Sequence, residues 1–375
     1  MRAVLFTIFL FASANLLSQT ASTYYNDGLE FKKNKKYSEA AVAFQNAVAL
    51  DPSNSNAYYE LGWCYNEFKK YDSAILVFRR LRPNWSEIPR LHFELGYAFE
   101  KSELIDSAIA SYLLCLKYKP DYINAFKQLG HIYYSKEDYI VANEYYSKAI
   151  SNSKTEITDY QLWYRKGFGD NALKNYAPAK ESLLKALSYK KDYSNIYLEL
   201  GYASSRLKQN DEAIDWYRQA MQVDPKSHIP SNGIAEVYRD NKKMMDSAAY
   251  WYQKTLEIKP RERKACFGLG YINNSQGKYQ DALPYLQQAL ESENTYVAAW
   301  VEQGYSYYKL GNMDQATRSL YKALELNANN ENARYYLTLI FISQKNKYKA
   351  QEMVDALKKV GSRYTQDLQD RVNKM

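Results

Sequence analysis

One spacing recurs through the chain. A glycine stands inside a helix-like stretch, and 34 residues later another does. Gly28, Gly62, Gly96 and Gly130 form one such series, Gly167 and Gly201 a second, and Gly270 and Gly304 a third. The surrounding letters repeat as well: ELGW at 60–63, ELGY at 94–97 and 199–202, GLGY at 268–271, EQGY at 302–305. A fixed period of this length marks one supersecondary unit written many times. No unit can bury its apolar face alone, so the stack is the fold. The interval from Gly130 to Gly167 is 37, which assigns three extra residues to SNSKTEIT at 151–158. The seventh unit has Ala235 at the glycine position and one extra residue, expected in its turn.

Other positions travel with the glycine. Twelve residues on comes alanine (Ala40, Ala74, Ala108, Ala142, Ala179, Ala213, Ala282, Ala316). Four further is a large side chain, such as Phe44, Phe78, Tyr112, Tyr146, Leu183, Tyr217, Leu286 or Leu320. Proline often closes the unit, at Pro52, Pro120, Pro225 and Pro260. Each unit therefore reads as two helices. In the sixth, Tyr197, Leu200, Gly201 and Ser204 share one face at i, i+3, i+4 and i+7. A polar turn follows, and Asp211 is expected to cap the second helix, with Ser38, Asp72, Asp106, Asp246 and Asp314 in the same slot. A mid-helix glycine costs roughly 1 kcal/mol against alanine. Its recurrence implies close approach of the two helices, opposite the alanine twelve residues on.

The ordered set Tyr/Trp–x–x–Leu–Gly–x–x–Tyr, then alanine, aromatic, alanine and proline, at period 34, resembles the tetratricopeptide repeat. The resemblance implies an all-α fold, a right-handed superhelical solenoid of antiparallel helix pairs. Ten units begin near 21, 55, 89, 123, 160, 194, 228, 263, 297 and 331, so the array occupies 21–360. The fifth departs at Asp170, where an aromatic is expected, and the tenth has Thr338 at the glycine position. Residues 361–375 place Tyr364, Leu368 and Val372 at i, i+4 and i+8, resembling the capping helix that closes such arrays.

The resemblance also locates the working surface. In this family the first helix of each repeat lines a concave groove, through its fifth and ninth residues. That assigns Tyr59, Phe93, Lys127, Tyr164 and Phe267 from the fifth position, and Trp63, Tyr97, His131, Phe168, Tyr202, Tyr271 and Tyr305 from the ninth. Asparagine often holds the second position, as at Asn195. Tyrosine, with 39 copies, gives large contact area at low entropic cost. Two uses are open for these rings: packing between helices, or a ladder for an extended ligand. The Lys and Asn carboxylate clamp of some family members is not present as a set, since only Lys127 is a lysine at the fifth position and the ninth is never asparagine. The expected function is a non-enzymatic scaffold binding a protein or peptide, with a glycan-binding module as the alternative.

Chemistry is otherwise sparse. His92, His131 and His228 have no metal-ligand spacing, and Gly277-Lys278 is followed by Tyr279 where a phosphate loop needs Ser or Thr. No catalytic residue, cofactor or metal is expected. The formal charge of +8 comes from basic clusters in turns, such as 31–37 and 259–264, not along one face, which disfavours nucleic acid. Cys64, Cys115 and Cys266 are far apart and odd in number, so they read as small packing residues. Residues 1–18 carry Arg2, an apolar run from Ala3 to Ala12 and small residues at Ala14 and Ser18, the pattern of a secretory signal peptide. The run is too short to span a bilayer. The expectation is export to a bacterial periplasm or beyond, with cleavage after Ala14 or Ser18 and no transmembrane anchor.

Overall fold

In each hairpin the turn is set by one residue in the left-handed region. The computed structural model describes residues 20–85 and 87–375, and among them every regular element is helical. The first helix covers 20–33 and is followed by Tyr37–Leu50. The same alternation continues through pairs such as Ser55–Glu67 with Tyr71–Trp85, and Ser194–Arg206 with Asn210–Val223. The expected signal peptide lies outside the described residues.

Between the two helices of each pair stands a residue with φ near +60°: Lys35, Lys69, Glu103, Glu137, Lys174, Lys208, Lys243 and Lys345, with Gly277 and Gly311 completing the series. This is a left-handed C′ cap, which returns the chain and pairs the last carbonyls; Lys69 N–H bonds Asn66 O at 3.1 Å and Lys70 N–H bonds Tyr65 O at 2.8 Å. A lysine there carries a penalty of about 1 kcal/mol that glycine avoids. The second helix then begins two residues earlier than the capping expectation requires. Asp72, Asp106, Asp211, Asp246 and Asp314 lie inside the first turn, and where the N-cap is defined its side chain makes no capping bond. They act on the helix dipole instead. Side-chain caps do occur at Asn54, Asp138, Asp159, Glu262, Asn330 and Asn346.

The glycine faces a different partner from the one expected. A Cβ on Gly28, Gly62, Gly96, Gly130 or Gly201 would come within 2.5–2.8 Å of the ring of Phe44, Phe78, Tyr112, Tyr146 or Tyr217, sixteen residues on. At Gly270 and Gly304 it would meet Leu286 and Leu320 at 2.6 Å; the carbonyls of Ala282 and Ala316 lie farther, at 3.5 and 3.4 Å. Glycine therefore makes room for a ring or leucine; the alanine is buried beside it.

The extra residue of the seventh unit sits in its first helix, not in its turn. Helix Ile229–Glu236 continues as a π-helical stretch, Val237–Lys242, before Lys243 makes the usual turn. The three-residue insertion is in a connection: helix Tyr139–Ser151 is separated from Tyr160–Ala172 by eight residues, where four suffice between Ile105–Tyr118 and Ile123–Ser135. In the fifth unit Asp170 is buried, accepting from Asn143 Nδ2 at 2.8 Å and pairing with Lys166 at 2.8 Å, so a polar network replaces the expected aromatic. All three cysteines are buried and free.

The chain divides into two compact units at Asn175 and Tyr176. Within each, first helices touch the first helices of neighbouring pairs more closely than second helices touch each other, which puts the first helices on the inner side. In the second unit, helix Thr365–Asn373 covers the last pair with Leu368 and Val372, both fully buried, while Tyr364 packs tilted against Tyr335 at 4.7 Å between centroids.

Candidate functional site

The ninth position of a first helix follows the packing glycine, so a turn of about 100° carries it off the hairpin core. Five such rings meet, edge to face, the tyrosine that opens the preceding second helix. The pairs are Tyr37–Trp63, Tyr71–Tyr97, Tyr139–Phe168, Tyr176–Tyr202 and Tyr279–Tyr305, with centroids 5.4–6.1 Å apart. Such pairs are worth about 0.5–1.5 kcal/mol beyond their buried area. These rings are therefore inter-repeat joints with one side left towards the inner surface.

In the unit ending at Asn175, Tyr59 departs from the groove assignment. It is 8% exposed, packs on Phe78 at 6.1 Å and has Arg90 over its ring at 4.4 Å, so it belongs to the core. Phe93 is half-buried between Tyr112 and Tyr122. Trp63 carries Lys32 Nζ over its face at 4.0 Å, and Tyr97 carries Lys101 at 5.4 Å. Tyr164 and Phe168 are half-buried and tilted together at 6.3 Å. Lys127 is an ion pair with Asp159 at 2.6 Å. Burial pushes the Asp159 carboxyl up, but Lys127 and the N–H groups of Leu162 and Gln161 outweigh it and hold it below its usual range. The inserted connection and the start of helix Ile123–Ser135 enclose a shallow hollow of about 500 Å³ beside this pair.

His131 sits next along. Its Nδ1 lies 3.3 Å from Gln128 Oε1, and its ring leans on Tyr146 at 5.7 Å. Burial, then the Arg165 charge, push its pKa down to about 4, so it is neutral near pH 7.

In the unit from Tyr176 the surface is more open. Tyr202 and Tyr271 are 41% and 37% exposed, and Asn195 is exposed with its amide on Tyr193 Oη at 3.1 Å. Phe267 is half-buried, 4.9 Å from Tyr296. Burial and the hydrogen bond with Tyr279 push the Tyr305 hydroxyl up to about 12.

Sequence reasoning missed a second ladder. The residue four after one glycine reaches the residue two before the next, which is the glutamate of the ELG or EQG phrase. Lys32 pairs with Glu60; Asn66 donates to Glu94 Oε2 at 3.0 Å and Glu94 O at 3.1 Å; Asn274 donates to Glu302 Oε2 at 2.8 Å and Glu302 O at 3.0 Å. Its signal was the recurring glutamate itself, which helix periodicity leaves unexplained.

Among the described residues no group of three or more His, Cys, Asp or Glu could hold a metal, and no helix is long and apolar enough to cross a membrane. Burial pushes the thiols of Cys64 and Cys115 up to about 12 and that of Cys266 to about 11, far from the reactive thiolate range.

The inner face of each unit is thus a partly filled aromatic and charged surface. Family models described as tetratricopeptide repeat match residues 25–88 and 267–334, and 89–122, 125–155 and 194–227. Among curated proteins, the Hsp70-Hsp90 organising protein of Plasmodium falciparum is 28% identical over 115 residues, 31% of this chain and 44% of that one. Heat shock protein STI1 of Saccharomyces cerevisiae is 27% identical over 114 residues, 30% of this chain and 19% of that one. The chain spans less than half the length of these relatives. In the Cut9-Hcn1 hetero-tetramer of APC/C, a chain matches at TM-score 0.50 and 14% identity, covering 92% of this chain and 95% of that one. The pilF protein of Pseudomonas aeruginosa matches at TM-score 0.51 and 17% identity, covering 56% and 96%. These likenesses extend the match of fold beyond the segments matched by the family models. With those models covering more than half of its length, the chain belongs to the tetratricopeptide repeat family.

Proposed function

We propose that this protein is a non-enzymatic scaffold that holds an extended segment of another protein against the inner faces of its first helices. The observation that carries this reading is the pair Tyr202 and Tyr271, exposed aromatics at the same position of different repeats, beside otherwise satisfied joints. Tyrosine at such a surface offers apolar area, a hydroxyl and few rotamers to freeze. The relatives named for organising Hsp70 and Hsp90 add the precedent of a repeat array working between proteins. The glycan alternative is weaker, because sugars stack on open ring faces. Here Trp63 and Tyr97 have the chain's own lysines over their faces, and Tyr59 has Arg90.

Export to a bacterial envelope remains part of the proposal and rests on residues 1–18 alone. Intact-mass analysis of protein from the cell envelope is expected to find a chain starting after Ala14 or Ser18. Retention of Met1 there would overturn export without touching the scaffold reading.

The scaffold reading is tested by photo-crosslinking. A benzoylphenylalanine placed at Tyr202 or Tyr271 is expected to capture one defined protein in cells. The same probe at Leu76, an exposed second-helix position, serves as the control. Equal capture from both surfaces, or none from the tyrosine positions, would defeat the groove.

A further inference from the structure

Two joints of the glutamate ladder are built alike and finished differently. At both, an asparagine amide donates to the main-chain oxygen and to one carboxylate oxygen of the facing glutamate: Asn66 to Glu94, Asn274 to Glu302. The main-chain oxygen can only accept, so the NH₂ end of each amide must point that way and Oδ1 must point away. At the second joint Ser306 Oγ donates to Asn274 Oδ1 at 2.7 Å, and the amide is satisfied. At the first joint the residue in the place of Ser306, two after the glycine, is Ala98. It has no hydroxyl, and Asn66 Oδ1 is buried without a partner. An orphaned buried acceptor costs about 1–3 kcal/mol. One group in contact can supply the missing donor: the carboxyl of Glu94, when it carries a proton.

We propose that the contact between Asn66 and Glu94 is a proton-operated joint between the second and third repeats, closed by a carboxyl O–H donated to Asn66 Oδ1 and loosened when that proton leaves. Its counterpart between Asn274 and Glu302 needs no proton, because Ser306 supplies the donor.

The surroundings favour the proton. From the first helix comes Lys32, already paired with Glu60. From Ser55–Glu67 come Tyr59, Glu60 and Glu67, and from Glu94's own helix Arg90, which lies over Tyr59. Tyr112 and Tyr122 face it from the following elements. Two carboxylates thus oppose the ionised form, and the nearer cations are engaged elsewhere. Burial is the largest influence, and it raises the Glu94 carboxyl to about 7 against the pull of the Asn66 N–H. The sign follows from linkage. With its pKa raised from an ordinary 4.5, Glu94 binds more proton in the folded chain than in the unfolded one between those values. Its contribution to stability is therefore full below about pH 4.5 and is lost as pH rises through about 7.

The test is a carboxyl-carbon NMR titration of the full chain labelled on glutamate, with E94Q and A98S beside it. Burial raises Glu302 as well, so the two are told apart by mutation: a glutamate signal near 7 is expected in the parent and should vanish in E94Q, while that of Glu302 stays. In A98S the new hydroxyl reaches Asn66 Oδ1 and the titration is expected to move down by about one unit or more. Melting temperatures taken from about pH 5 to about pH 8 give an independent reading: the E94Q curve is expected to lack the fall that Glu94 adds to the parent. If every parent glutamate titrates in the ordinary range, or if A98S leaves the Glu94 signal unmoved, the proposal is wrong. Should E94Q fail to fold, A98S alone decides.

Discussion

The ring of Tyr217 lies between two glycines of different repeats. A Cβ on Gly201 would stand 2.7 Å from its Cε1, and a Cβ on Gly233 would stand 2.6 Å from its Cζ. Tyr217 is itself buried, so it cannot swing into solvent to make room. The ring is thus clamped by its own hairpin on one side and the next hairpin on the other.

From this clamp comes the first expectation. Gly201→Ala and Gly233→Ala should each cost roughly 1–3 kcal/mol by overpacking, more than the helix propensity of alanine returns. Adding Tyr217→Leu should recover part of the loss in either mutant, as leucine occupies this slot against Gly270 and Gly304. Urea unfolding of the single and paired variants checks it; a Gly201→Ala protein more stable than the parent would place the ring elsewhere.

The turns supply a second expectation with the opposite sign. Lys69 adopts φ +64°, a conformation that glycine reaches without strain. Lys69→Gly should stabilise by about 0.5–1 kcal/mol, and Gly311→Lys should cost a similar amount, since Gly311 has φ +80°. Thermal melts of the two variants give the answer, and the signs must differ.

Burial separates residues that the sequence puts in one class. Tyr59→Ala removes a core ring and should cost about 3–5 kcal/mol. Tyr271→Ala removes a ring that is 37% exposed, so it should cost under about 1.5 kcal/mol and leave the helical dichroism unchanged. In a binding assay with the partner captured by crosslinking, Tyr271→Ala should weaken affinity by about 1 kcal/mol or more if the ring is an anchor. Equal melting losses at both positions would contradict the burial.

That each unit is a pair of helices was legible because the pattern is periodic, and periodicity survives in one dimension. What the glycine faces was not. Spacing shows which residues share a face of one helix, but not how far a ring sixteen residues away reaches across to the other. The left-handed turns escaped notice because eight of their residues are lysine or glutamate, and only glycine advertises that conformation. Tyr59 was grouped with Tyr164 and Phe267 by position, yet its depth depends on Phe78 and Arg90, which come from other helices. The capping slot lies two residues before the aspartate, and it was misread because Asp in a first turn and Asp at an N-cap look alike in sequence.

His131 gives a pH dependence opposite to that of Glu94. Its pKa falls from 6.5 to about 4 on folding, so between those values the unfolded chain binds more proton. Its contribution is full above about pH 6.5 and is lost as pH falls through about 4. Replacing it by a group that does not titrate, His131→Asn, should shrink the loss of stability between about pH 7.5 and about pH 5 by about 1–2 kcal/mol. Urea midpoints of parent and variant at the two pH values measure this, and an unchanged difference would mean that the imidazole is solvated.

The π-helical stretch Val237–Lys242 bears on how such a chain tolerates editing. The left-handed turns mark time along the array: Lys243, Gly277, Gly311 and Lys345 are 34 residues apart, whereas Lys208 to Lys243 is 35. The surplus residue is thus absorbed inside one helix before the turn is reached, and every later unit keeps its phase. It works like a second mutation that restores a reading frame. A single-residue insertion survives in this array because a helix can swallow it within a turn, close to where it arises, and the three units downstream never register the change.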